Sequence, residues 1–394
     1  MDIKSVVPLD ENSLIETAKR NTGLDYFGED DWYEPFKLLV KGFDEESELN
    51  LMGRIMTRSD MLMFLQNRLM IEDVFRRHPE VADEQIIQPV MIIGQGRSGT
   101  SVMHNVLSHD PDNAVIRAWQ VYFPCPPPEA ATVANDPRIE RGHKLATMVD
   151  RVTPEAASMH EWFGTVPTDC ASVHCLTFNS PAWFSPVLGQ SPSYVGEVIK
   201  RSNVPVYQYE KKFLQLLQWK NPCKRWVLKS PYSITHIPEI LKVFPDMGFI
   251  WPHRDPVKAL ASMVNLLGIT FWARTDHPFI GDSMDMYTNA DVGAAMMSQP
   301  IDWLESGVLP KSQLCNVKYQ DFIKDPIAVV ASIYDYFGFE MTDRGREAMQ
   351  RYMLEKPRES RPAHQYDVGE REMIETERKA YKRYQDYFDV PSEV

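Results

Sequence analysis

The stretch Met91-Ile-Ile-Gly-Gln-Gly-Arg-Ser-Gly-Thr-Ser-Val-Met-His104 decides how the chain is read. An apolar run over residues 89–93 reads as a buried strand. It breaks at Gly94 and Gly96, and a helix starts at about Gly99. Strand, glycine turn and helix N-terminus together make an anion cradle, because backbone N–H groups and the helix dipole face one point. Gly94 to Gly99 has the G-x-x-x-x-G spacing of a nucleoside-triphosphate loop, yet Thr100 stands where that loop carries Lys. The positive charge sits inside the loop, at Arg97. That displacement argues against an ordinary ATPase or kinase and toward a different phosphate-bearing donor.

Outward from this stretch, residues 8–80 read as helices. Asp10 or Asn12 caps one that runs through Leu14 and Ile15. Asp31 precedes another, with Phe36, Leu38, Leu39 and Phe43 on its apolar face. Ser59 or Asp60 starts a third, over 61–77. Beyond the loop come a helix over 100–108, a short strand over 114–118, a Pro-rich loop over 124–128 and a mostly helical stretch over 136–220. Strands are predicted over 225–231, 247–253 and 313–319, with a helix over 326–337. Strands separated by helices imply an α/β fold, a P-loop-like parallel sheet flanked by helices. Residues 1–86 are predicted to form a helical segment packed on an α/β domain over 87–394. That domain carries a helical insert over about 136–220 and a closing segment over about 355–394.

The 394 residues are enough for a sizeable core. The net charge of −13 and the lack of a basic stripe exclude nucleic acid as a partner, so local arginines must do any anion binding. Five cysteines without a C-x-x-C pair read as reduced, packed thiols. The first residues show no secretory h-region, and no apolar run is long enough to cross a bilayer. A cytoplasmic location without a transmembrane segment is the expectation, and a homo-oligomer is compatible with it.

In parallel sheets ligands sit beyond the C-terminal strand ends. Those ends carry Gly94 to Thr100, then Lys229 with Ser230, then His253 with Arg254. Arg97, Lys229 and Arg254 are therefore expected in one cleft.

On these residues the chain resembles the sulfotransferases that use 3′-phosphoadenosine 5′-phosphosulfate (PAPS), and among them the bacterial-type proteins. The resemblance rests on Gly96-Arg-Ser-Gly-Thr-Ser101, Leu228-Lys-Ser-Pro231, and His253-Arg-Asp-Pro256 with Ser262. Arg117, Trp119 and the prolines over 124–128 add to it, as do Thr22-Gly-Leu-Asp-Tyr-Phe-Gly28 and the L-Q-L-L-Q-W of residues 214–219. It implies that Gly96, Arg97, Ser98, Gly99, Thr100 and Ser101 hold the 5′-phosphosulfate and that Arg254 with Ser262 holds the 3′-phosphate. Tyr319 is implied near the nucleotide, Arg358 and Arg361 in a closing loop, and Lys229 as the donor to the bridging oxygen. PAPS is then the co-substrate, adenosine 3′,5′-bisphosphate (PAP) the product, and no metal is expected.

The proton acceptor is the least determined role. Cytosolic small-molecule sulfotransferases keep a His two residues after the strand-end Lys, and here that place is Pro231. The resemblance favours His160 as base with Asp169 orienting it. Glu161 and His104 are the other candidates. Trp162, Phe163, Phe178, Trp183, Phe184, Tyr194, Phe271 and Trp272 suit an apolar acceptor bearing a hydroxyl, a small molecule or a lipid-like one, and they equally suit an ordinary core. A kinase with a degenerate loop and a non-catalytic nucleotide-binding module are the alternative readings.

Overall fold

The computed structural model describes residues 2–159, 161, 163–277, 284–356 and 367–394. Five strands form one parallel sheet: β1 Val90–Ile92, β2 Asn113–Ala114, β3 Arg225–Lys229, β4 Gly248–His253 and β5 Leu314–Lys318. The order is β2-β3-β1-β4-β5. Ile92 pairs with Lys229 on one side and with Ile250 on the other, so the strand ends that carry the charged motifs lie side by side. β1, β3 and β4 are buried along their whole length, as a parallel sheet covered on both faces requires.

The helices that matter below are α1 Glu11–Thr22, α2 Tyr33–Glu45, α3 Leu51–Arg77, α4 Thr100–Leu107, α5 Val204–Gln218, α6 Pro256–Trp272, α7 Pro326–Phe337, α8 Arg371–Ala380 and α9 Lys382–Phe388. Side chains alternate across β1. Met91 joins the large core that α1, α2 and α3 share with α5 through Leu14, Phe36, Leu65 and Phe213. Val90 and Ile92 face the other core, with Met103 and Val106 of α4 and Val330 and Ile333 of α7.

α1 starts where its cap predicts: the Asp10 carboxylate accepts from the Ser13 N–H at 2.8 Å. α3 starts ten residues earlier than the apolar period suggests. Asn50 caps it, accepting from Gly53 N–H at 2.8 Å. Its first turns bury Gly53, Arg54 and Thr57, which leave no apolar signature. Arg54 is buried because Val7 O and Asp44 take its guanidinium at 3.0 and 2.5 Å. Arg68, further along, donates to Phe27 O, Leu176 O, Glu29 O and Asp31, which ties α3 to the insert. The strand expected over 114–118 shortens to Asn113–Ala114, because Gln120 Oε1 accepts from Arg117 N–H at 2.8 Å and starts a helix over Ala118–Tyr122. The five cysteines are free thiols, three of them buried. No helix among the described residues is long and apolar enough to cross a membrane.

Candidate active site

The loop after β1 bends through positive φ at Gly94, Arg97 and Gly99. Gly99, at φ 92°, is the N-cap of α4 and supplies no side-chain cap. A Cβ there would lie 2.7 Å from the Tyr319 ring, so glycine is required for conformation and for space. Arg97 holds a left-handed conformation that is costly for a non-glycine residue. Its surroundings hold it there. Arg97 Nε donates to Ser262 Oγ at 2.9 Å and Nη1 to Met159 O at 2.8 Å. Its own carbonyl accepts from Arg254 Nη1 at 2.8 Å. The Arg254 guanidinium in turn lies 4.5 Å from the centre of the Tyr319 ring. Loop, β4 end, α6 and the residue after β5 are thereby one network.

Lys229 ends β3 with its side chain almost wholly buried, and Nζ donates to Asp169 Oδ2 at 2.8 Å. The backbone makes the same junction, since Lys229 O accepts from Cys170 N–H at 2.9 Å. Asp169 Oδ1 accepts from Ala171 N–H at 2.9 Å, which fixes the carboxylate. A residue of the helical insert is thus clamped to the central sheet, with its charge beside the strand-end lysine.

These groups open on a cleft of about 490 Å³. One end is lined by Gly96, Arg97, Gly99, Thr100, Ser101, Lys229, Arg254 and Tyr319, and the other by residues such as Trp183, Val187, Leu260, Met263 and Leu267. Asp169 and Glu161 also line it. Glu161 is matched by Lys356, whose Nζ is 3.4 Å from both carboxylate oxygens. Ser98 lies behind the loop, donating to Gln95 O at 2.7 Å. His160, Arg358 and Arg361 fall outside the described residues.

Three expectations are refined. Ser262 Oγ accepts from Arg97, because one face of α6 turns back onto the loop. His104 is buried against β3, bonded to Val227 O at 3.0 Å, and burial with nearby Lys229 pushes its pKa down to about 3. It is not among the residues lining the cleft, and with its pKa near 3 its ring would hold a proton poorly. Of the aromatics named for the acceptor, Phe163 and Trp183 line the cleft, and Trp162 falls outside the described residues. Phe178, Phe184 and Tyr194 are core, packed on one another and on Trp32, Phe36 and Phe64. Phe271 is buried against Leu267 and Met284, and Trp272 points to solvent. Sequence reasoning missed Tyr381, Met263 and the Met159 carbonyl, none of which carries a local signal.

A parallel sheet whose first strand feeds a glycine loop and an uncapped helix, with cations from three strand ends, makes an α/β protein with an anion cradle at its strand ends. The chain matches the model of the Sulfotransferase family over residues 89–343 and belongs to that family. It is similar to sulfotransferase STF9 from Mycobacterium avium, with a TM-score of 0.81 and 26% identity over 98% of each chain. Sulfotransferase STF1 from Mycobacterium tuberculosis H37Rv gives 0.76 and 25%, over 94% of this chain and 98% of that one. No curated protein sequence matches the chain.

Proposed function

We propose that the chain moves a sulfuryl group from PAPS to the hydroxyl of an apolar small-molecule or lipid-like acceptor. The observation that carries this reading is the convergence of Arg97, Lys229 and Arg254 with the uncapped N-terminus of α4 on one end of a cleft whose other end is apolar. That donor set fits a ligand with negative charge at two separated places. Thr100, Ser101 and the loop amides would hold its 5′-phosphosulfate, and Arg254 its 3′-phosphate. When bound, the donor supplies an electrophilic sulfuryl group and a phosphate leaving group.

The chain's own residues supply the rest. Lys229 Nζ and the α4 amides are preorganised to take negative charge as it grows on the leaving oxygen. Such donors contribute roughly 3–4 kcal/mol each in dry sites. Asp169 is the described carboxylate that lies beside Lys229, and we assign it the acceptor proton. Its Oδ2 is held by Lys229, so the base and the charge-stabilising donor keep a fixed spacing. Asp169 takes the proton as the hydroxyl acidifies on attack. Met263, Leu267 and Trp183 would shape the acceptor end and exclude water.

The test is a thermal-shift comparison of PAP with ATP–Mg, followed by sulfate transfer to a panel of hydroxyl acceptors. A ligand at a hundredfold excess over its dissociation constant stabilises the native state by about 2.7 kcal/mol. A shift with PAP alone is expected. Equal shifts with the two nucleotides would overturn the donor assignment.

A further inference from the structure

Arg254 is already occupied. Its Nη1 donates to Arg97 O, and the fork edge made by Nε and Nη2 meets the two carboxylate oxygens of Glu393 at 3.2 and 3.4 Å. Lys258, one turn further along α6, lies 3.2 Å from Glu393 Oε2. The Glu393 and Arg254 side chains are mostly buried, and that of Lys258 is 30% exposed. A carboxylate and a phosphate take the same edge of a guanidinium, by the same pair of parallel hydrogen bonds. An anionic group that takes the Nε–Nη2 edge of Arg254 must therefore replace this carboxylate.

The segment has anchors besides this carboxylate. Asp255 Oδ2 accepts from Glu393 N–H at 2.6 Å and from Val394 N–H at 3.3 Å. Arg378 of α8 bonds both oxygens of Asp255 at 3.3 and 3.1 Å and Val394 O at 2.7 Å. Upstream, Gln385 O and Val390 N–H pair at 3.0 Å. The backbone of this segment is anchored on a fully buried aspartate through N–H groups that do not involve the Glu393 side chain. Its distances to Arg254 are also longer than the 2.7–2.9 Å typical of tight charge-assisted pairs.

We infer that Arg254 and Lys258 form a two-cation anion subsite for the donor's 3′-phosphate, and that Glu393 is a tethered carboxylate which fills the subsite until that phosphate displaces it. The inference rests on the PAPS reading above and adds two residues to it. Lys258 is a donor-binding residue, and Glu393 is an internal competitor that weakens donor and product binding alike. A competitor of this kind multiplies the apparent affinity by the fraction of molecules whose site is open. It also hastens product release, because the leaving nucleotide is replaced by a group already at hand.

The experiment measures dissociation constants for PAP and for adenosine 5′-phosphate, which lacks the 3′-phosphate, by calorimetry on the full chain. The forms compared are wild type, Glu393→Gln, Lys258→Met and the double variant. Glu393→Gln keeps the shape and removes the charge. It is expected to bind PAP about threefold tighter or more, with adenosine 5′-phosphate unchanged. Lys258→Met is expected to weaken PAP binding in both backgrounds. Unchanged or weaker PAP binding in Glu393→Gln would make the residue a structural strap and overturn the proposal, leaving the donor reading intact. Equal tightening for both nucleotides overturns the assignment to the 3′-phosphate. PAP binding to none of the four forms overturns the donor reading and this proposal together.

Discussion

The two ends of the cleft are built in different ways. The donor end is made of strand ends and one loop: Gly94 to Ser101 after β1, Lys229 on β3 and Arg254 after β4. Each lies within a few residues of a buried strand, and the strands are level because Ile92 pairs with both Lys229 and Ile250. The acceptor end draws on Trp183, Val187, Met263 and Leu267, which come from unconnected helices more than seventy residues apart in places. Hydrogen-bond geometry sets the first end; close packing of side chains sets the second. Charge placement should therefore be intolerant of change at the donor end, and shape should be adjustable at the other.

The strongest way to break this comparison is Lys229→Ala. Removing a donor that acts where charge develops should lower kcat by about 10²–10³-fold with a much smaller change in PAP affinity. Steady-state kinetics with PAP titration decides it, and a rise in KM alone would refute the role. Next comes Asp169→Asn, which keeps the shape and an acceptor for Lys229 but cannot take a proton. A fall in kcat of about a hundredfold is expected. Near-normal turnover would move the proton to Glu161 or to His160.

Arg254→Ala tests the division from the binding side. Loss of a charged hydrogen bond, about 1.5–3 kcal/mol, corresponds to PAP bound roughly ten- to a hundredfold more weakly. Turnover at saturating donor should change less than affinity. At the acceptor end, Trp183→Ala should raise the acceptor KM by about tenfold or less and leave PAP affinity alone. A large loss of donor affinity there would show that the two ends are not separable.

The smallest effect on catalysis is expected from His104→Gln, because His104 faces β3 rather than the cleft. The pH profile of kcat should stay in place. Stability should respond instead. Burial holds the folded-state pKa near 3, while the unfolded imidazole takes a proton below about 6.5. Native stability therefore falls as pH drops from 6.5 toward 3, and melting curves of the variant should fall less steeply over that range.

The loop, Lys229 and Arg254 were legible because their chemistry depends on backbone position at a strand end, which a few adjacent residues specify. The start of α3 was not, because Arg54 and Thr57 are buried by partners far away in sequence, Val7 and Leu188 among them. The aromatic residues left pocket and core both open for a related reason. Phe178, Phe184 and Tyr194 suit either in composition, and packing assigns them to the core. That Ser262 braces Arg97 was not legible either, since helical spacing gives a face and not a partner.

By itself the sequence determined the parallel α/β sheet, the anion cradle at Gly94 to Ser101 and the three cations that face it. Those features follow from local rules of strand, turn and helix start, which hold wherever the segment is placed. Tertiary structure alone decided that Asp169 meets Lys229, that Ser262 holds Arg97, and that Glu393 lies on the Arg254 fork. Each of these contacts joins groups 60 to 165 residues apart. Their energies depend on distance, burial and the exclusion of water, which exist only once the chain has packed.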